Sequence, residues 1–250
     1  MTTEPPTTAA MLAIGDEILS GRTKDKNIGH LAELLTVAGI DLKEVRIVGD
    51  EPAFIADSLN TLRRGYDFVF TSGGIGPTHD DVTADAVAAA FGVEAVEHPE
   101  AVALLERYYA GRDLPFTEAR RRMTRTPKGA SLIANAVSVA PGFRMDNVFV
   151  MAGVPRIFQA MMEEVLPLLP AGRAVESLSL DCRFGEGEIG DPLRAIAKTH
   201  PGVAIGSYPR FDGERHSTEL VLRSRDRAAL EAAGAEVAGM LAAMEAARSG

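Results

Sequence analysis

Five carboxylates stand beside glycine turns in the first third of this chain. Asp16 and Glu17 follow Gly15, Asp50 follows Gly49, and Asp80 and Asp81 close the stretch TSGGIGPTHDDVT, Thr71 to Thr83. Carboxylates crowded into one site repel one another unless a cation lies among them or one is protonated. Oxygen-only ligation suits Mg²⁺ or a similar hard ion better than zinc. Within the glycine stretch, Gly73, Gly74 and Gly76 free the backbone to approach a ligand closely or to take positive φ, and Pro77 stiffens the turn beyond them. A strand, such a turn, carboxylates and a helix start in succession make a phosphate or metal-phosphate site. A cation there would bridge phosphate oxygens and polarise phosphorus for attack by water.

Each feature also has a plainer reading. Asp50 sits where the N-cap of a following helix belongs, a position dominated by Ser, Thr, Asp and Asn. Asp16 or Glu17 alone reads as a solvated turn residue, and His79 as either a general acid/base or a hydrogen-bonding fixture. FTEARRRMTR carries Arg120, Arg121, Arg122 and Arg125, with Lys128 just beyond, and is the one basic cluster of the sequence. It reads either as a solvated face or as a neutraliser of polyphosphate. Gly-Gly-x-Gly by itself also serves plain turns. No dinucleotide GxGxxG, Walker lysine or GxSxG elbow is present, and Ser72 has no believable triad.

Positioning these loops requires strands that end at a common edge. AAMLAIG (Ala9 to Gly15), DLKEVRIVGD (Asp41 to Asp50) and DFVF (Asp67 to Phe70) read as strands, and NVFVMAG (Asn147 to Gly153) as a further buried one. Helical stripes lie between them. NIGHLAELLTVAG presents Ile28, Leu31, Leu34, Leu35 and Ala38 on one face, and EPAFIADSLNTLRRG presents Ile55, Leu59 and Leu62. Thr83 is placed to cap ADAVAAAF, and Pro155 to start the last helix of this region. The alternation predicts an α/β fold, a three-layer domain with a mostly parallel sheet, whose carboxyl edge would hold the ligand. After Gly172 the order strand, helix, two hairpin strands around FDGERH, and an Ala-rich helix predicts a small α+β domain. Residues 1–8 read as a flexible leader, 9–171 as the large domain and 172–250 as the small one.

A chain of 250 residues with 46% hydrophobic and 24% charged residues can bury a sizeable core, so disorder is expected only at its ends. Its formal net charge of −9 argues against a general nucleic-acid or anionic-membrane surface. The lone Cys182 excludes an internal disulfide and a thiolate zinc site. The start has neither a basic n-region nor an h-region, which predicts a cytoplasmic protein.

GDEIL (Gly15 to Leu19), VGDE (Val48 to Glu51), TSGGIGPTHDDVT, APGF (Ala140 to Phe143) and MAGVP (Met151 to Pro155), in this order, resemble the molybdopterin-binding (MoaB/Mog-type) domain family. Within it the chain is similar to the N-terminal part of the competence/damage-inducible protein A (CinA) family. Gly185 to Phe211 resembles that family's small middle domain. The C-terminal domain that carries nicotinamide-nucleotide amidase activity has no counterpart, so that activity is not carried over. The resemblance implies a pterin or nucleotide pyrophosphate site lined by Gly15, Asp16 and Glu17, by Thr71, Ser72, Gly73, Gly74, Ile75, Gly76, Pro77 and Thr78, and by Gly153 and Pro155. It further implies Asp50 and Asp81 as the acidic residues of catalysis, with Asp50, Asp80 and Asp81 as metal ligands. Three functions are compatible with such a site. The leading one is a hydrolase, an Mg²⁺-, Co²⁺- or Mn²⁺-dependent pyrophosphohydrolase of ADP-ribose- or FAD-type dinucleotides. The second is a molybdopterin-binding or adenylyl-transfer protein of molybdenum cofactor biosynthesis, and the third a non-catalytic ligand-binding module. Family analogy suggests a homo-oligomer, a dimer or trimer, with a small-molecule nucleotide or pterin as partner.

Overall fold

The computed structural model describes residues 5–211 and 216–249. The chain divides into two compact units, Met1–Gly172 and Arg173–Gly250. The large unit begins β1 (Thr8–Ile14), α1 (Asp16–Leu19), α2 (Asn27–Ala38), β2 (Asp41–Val48), α3 (Pro52–Gly65), β3 (Phe68–Ser72) and α4 (Thr83–Phe91). It continues through β4 (Ala95–Glu97), α5 (Pro99–Ala110), α6 (Glu118–Arg121), β5 (Arg125–Pro127), β6 (Ser131–Ile133), β7 (Gly142–Met145), β8 (Val148–Met151) and α7 (Pro155–Val165).

Its main sheet has the order β2-β1-β3-β8-β7-β6. The β2-β1, β1-β3 and β3-β8 pairings are parallel, and β8-β7 and β7-β6 are antiparallel. Residues of β1 alternate between two apolar layers, as the period of two along a strand requires. Ala10, Leu12 and Ile14 pack with Ile55, Leu59 and Val87 of α3 and α4. Ala9 and Met11 pack with Leu31, Leu35, Phe158 and Met162 of α2 and α7. Burial on both faces explains why β1 reads as an unbroken apolar run. The parallel strands turn their carboxyl ends to one edge, and the glycine loop leaves β3 there.

Several boundaries differ from those expected. The strand starts within the segment expected to be a loose leader, because the Thr8 N–H and hydroxyl both donate to Asp67 Oδ2, at 2.7 and 2.8 Å. Residues 1–4 lie outside the described residues. The β4-β5 pair was not legible in the sequence. It matches Glu97 with Arg125, and the arginine segment reaches it through α6 and a 3-10 turn over Arg122–Thr124.

The small unit contains β9 (Glu176–Cys182), α8 (Glu186–Thr199), β10 (Ala204–Phe211), β11 (His216–Ser224) and α9 (Arg227–Ser249). Its three strands form an antiparallel sheet in the order β10-β11-β9. Cys182, Ile189, Leu193, Leu220, Leu222 and Val237 are part of its core. The turn predicted around FDGERH falls largely on residues 212–215, outside the described residues. No helix among the described residues is long and apolar enough to cross a membrane.

Candidate functional site

The first side of the site is built where β1 and β2 end. The Gly15 N–H donates to Val48 O at 3.0 Å, and the chain turns at once into α1. A Cβ on Gly15 would fall 2.5 Å from Glu17 Oε2, so the Glu17 side chain folds back over this glycine. A Cβ on Gly49 would fall 2.4 Å from Asp16 Oδ1, which places the Asp16 carboxylate over the turn leaving β2. The Asp16 N–H donates to Asp50 Oδ2 at 3.0 Å. Asp50 is therefore not the cap expected of it. The N-cap of α3 is Glu51, with no side-chain capping bond, and Asp50 binds the neighbouring strand's loop instead.

Burial pushes the Asp50 carboxyl above the ordinary aspartate range. The Asp16 N–H partly offsets this, and the negative charges of Asp16, Glu17 and Asp80 push it further up. Three carboxylates thus act on the Asp50 carboxyl at this edge.

The second side is the glycine loop. The Gly73 N–H donates to Met151 O at 3.0 Å, and with φ at 111° a Cβ there would lie 2.1 Å from Ile14 O. At Gly74, with φ at 68°, a Cβ would lie 2.1 Å from Thr83 Oγ1. Thr83 was expected to cap α4, yet Val82 holds the N-cap position. The Thr83 hydroxyl instead donates to Gly73 O at 3.0 Å and ties the loop to the helix. Ile75 anchors the loop by packing against both apolar layers. Pro77, Thr78, His79 and Asp80 form an exposed tip. The His79 side chain is 98% exposed, with no partner nearer than Asp80 at 4.0 Å, so it is a solvated tip residue rather than a fixture.

Asp81 closes the tip. Its Oδ2 accepts from Thr78 N at 2.7 Å and from the Thr78 hydroxyl at 2.5 Å. Among the described residues, no three His, Cys, Asp or Glu side chains form a group able to hold a metal ion. Asp50, Asp80 and Asp81 are accordingly not a single ligand cage, because Asp81 Oδ2 is bonded to Thr78 within the tip while Asp80 acts on Asp50. The carboxylates fit a cation only in the manner of Mg²⁺, held by one or two of them and completed by a ligand's phosphates.

The third side joins β3 to the loop after β8. A Cβ on Gly153 would stand 3.2 Å from Gly73 Cα, and Pro155 opens α7 as expected. Asn27, 2% exposed at the start of α2, clamps the two loops with its Nδ2, which donates to Ser72 Oγ at 2.7 Å and to Gly153 O at 2.8 Å. Asn27 Oδ1 and the Thr71 hydroxyl are buried without partners. Asn27 does not stand out as a site residue in the sequence. The available signal was an amide opening a helix next to an otherwise clean apolar stripe.

The arginines are dispersed rather than pooled. Arg120 stacks on Tyr109 at 4.2 Å, Arg121 bonds Glu97 at 3.1 Å and reaches Glu106 at 3.6 Å, and Arg125 pairs with Asp85. Arg122 alone of the four donates to the glycine loop, from Nη2 to Asp81 O at 3.3 Å.

Comparison with known proteins matches residues 10–171 to the family described as Probable molybdopterin binding domain, and residues 174–249 to FAD synthase, middle domain. A protein of Archaeoglobus fulgidus is 34% identical over 200 residues, spanning 80% of this chain and 85% of its own length. A CinA-like protein of Desulfosudis oleivorans is 33% identical over 214 residues, which cover 81% of this chain but 52% of that protein. The chain therefore spans about half of that relative. A crystal structure of the protein CinA, of unknown function, from Thermoplasma acidophilum aligns with a TM-score of 0.61 at 27% identity, covering 66% of this chain and 99% of that one. With the family match extending from within β1 to Ala171, over most of the chain, this chain belongs to the family of probable molybdopterin-binding domains.

Proposed function

We propose that the chain binds a pyrophosphate-bearing nucleotide at the glycine loop and, with a divalent metal, hydrolyses dinucleotides of the ADP-ribose or FAD type. The observation that carries this reading is the placing of Asp50, bonded to the Asp16 N–H and under the negative charges of Asp16, Glu17 and Asp80, at the edge where the glycine loop leaves β3. Such a cluster favours a cation, and a cation beside a phosphate cradle favours phosphoryl chemistry. Asp50, with Asp16 or Asp80, would hold the metal, which when bound supplies charge neutralisation and activation of water. Ser72, 2% exposed and engaged by Asn27, is not available as a nucleophile, so water is the attacking group. With ADP-ribose the water oxygen bonds to one phosphorus, the bridging P–O bond breaks, and AMP and ribose 5-phosphate leave with release of a proton.

Purified protein given ADP-ribose or FAD with Mg²⁺, Co²⁺ or Mn²⁺ should release AMP, and Asp50→Asn should lower the rate by about 10²-fold. No AMP with any of these metals and substrates rejects the reading. The family match favours a second one, in which the same loop holds a molybdopterin for binding or adenylyl transfer. Calorimetry with molybdopterin and ADP-ribose, with and without metal, separates the two. Tight binding without metal dependence or turnover would instead mark a non-catalytic binding module.

A further inference from the structure

Next to the glycine loop lies a recess lined by Gly74, Gly76, Asp81, Arg122, Arg125 and Phe143, among others. Its four ionisable residues are not equivalent. The Arg125 and Asp85 charges neutralise each other, and Asp81 Oδ2 is occupied by the Thr78 N–H and hydroxyl. Arg122 has no carboxylate partner among the described residues. Its one bond is to a neutral carbonyl, Asp81 O, and its Nε is buried with no acceptor. A half-buried guanidinium with an unused inward N–H departs from the rule that buried charges are paired and buried donors satisfied. The other arginines of the segment are spent on Tyr109, Glu97, Glu106 and Asp85.

We propose that Arg122 is the anion-reading residue of the glycine loop, and that the recess takes a phosphoryl oxygen of the ligand's pyrophosphate. The planar guanidinium suits that role, since it presents several N–H groups in a fixed fork to phosphate geometry. The absence of a side chain at Gly76 leaves room beside Asp81, because a Cβ there would meet Asp81 Oδ2 at 2.7 Å. The loop thus has a cationic side at Arg122 and an anionic side at Asp50, with Asp80 and Asp81 as adjacent links to the two. The inference rests on the proposed pyrophosphate ligand but not on its hydrolysis.

Calorimetry of the full chain without metal, using inorganic pyrophosphate, ADP-ribose and adenosine at low and high salt, tests it. Arg122→Gln should weaken pyrophosphate and ADP-ribose about 10- to 100-fold, the scale of a charge-assisted hydrogen bond, and flatten their salt dependence. Adenosine affinity should not change, and Arg120→Gln should leave all three ligands within about 2-fold. Wild-type affinity for pyrophosphate in the glutamine variant overturns the proposal. An equal loss for adenosine also overturns it, marking Arg122 as a brace for the Asp81 carbonyl. Should the glutamine variant not fold, Arg122→Lys carries the test. It keeps the charge but not the fork, so pyrophosphate should bind about 3- to 10-fold more weakly with its salt dependence intact, and unchanged affinity counts against the proposal. Wild-type protein that binds pyrophosphate yet releases no AMP removes hydrolysis and leaves Arg122 in place, whereas failure to bind it removes both.

Discussion

The large and small units treat their buried polar atoms differently. In the small unit, Thr218 donates to Phe184 O at 2.9 Å and Ser224 to Gly202 O at 2.9 Å, so its buried hydroxyls are used inside the fold. In the large unit Asn27 Oδ1, the Thr71 hydroxyl and Arg122 Nε are buried without partners, and each belongs to the glycine loop or to a residue bonded to it. All the buried, unpartnered side-chain atoms among the described residues, including His98 Nδ1 and Asn147 Oδ1, lie in the large unit. Unmet hydrogen bonding costs free energy, so the three such atoms in or beside the glycine loop point to groups that a ligand or water completes. The small unit is a packed layer of helices on an antiparallel sheet, and its described residues show no comparable demand.

The sharpest break of this contrast is Gly73→Ala. The added Cβ meets the Ile14 carbonyl at a backbone angle that L residues avoid, so a loss of about 4 kcal/mol is expected, together with loss of nucleotide binding. Urea denaturation and calorimetry on the same sample read both effects. A stable variant that binds normally would show that the close approach is not needed.

Next in size is Leu220→Ala in the small unit. Leu220 is fully buried, and truncating it should cost about 3 kcal/mol through the cavity left behind. Here the expected result is lower stability with unchanged ligand affinity at the glycine loop. Weakened affinity in the folded variant would mean that the units do not divide packing from binding as their polar groups suggest.

Asp50→Asn sharpens the electrostatic half of the comparison and has the smallest effect on stability. Burial raises the folded-state pKa of Asp50, with its acidic neighbours adding to the rise, so ionisation costs stability as pH climbs from the unfolded value, about 3.9, through the folded one. The asparagine variant should therefore melt higher than wild type at pH 7, with the gain gone below about pH 4. A lower melting temperature at pH 7 would deny that the cluster is repulsive without a cation.

Much of the architecture was legible in the sequence because parallel strands buried on two faces must read as apolar runs, and the helices between them as one-sided stripes. β1, β3, β8, α2 and α3 were found in this way, within a few residues. The antiparallel side was harder to read. Strands such as β6 and β7, three and four residues long, carry too few residues to show a period, and β4 and β5 pair across residues 98–124, which give no local sign of it.

The sequence by itself determined which residues meet at the glycine turn, since Gly73, Gly74 and Gly76 are near neighbours along the chain. It also determined that acidic groups would end the first two strands. Tertiary structure decided what those groups do. Asp50 could be told from an N-cap only once β1 brought the Asp16 N–H to it, and the partner of Asp81 Oδ2 was fixed only once the loop folded it back onto Thr78. The arginines look alike in RRRMTR, but the fold supplies Glu97, Glu106, Asp85 and Tyr109 to three of them and only a backbone carbonyl to Arg122. Partner choice depends on which distant segments arrive at hydrogen-bonding distance, and that is a property of packing rather than of local sequence.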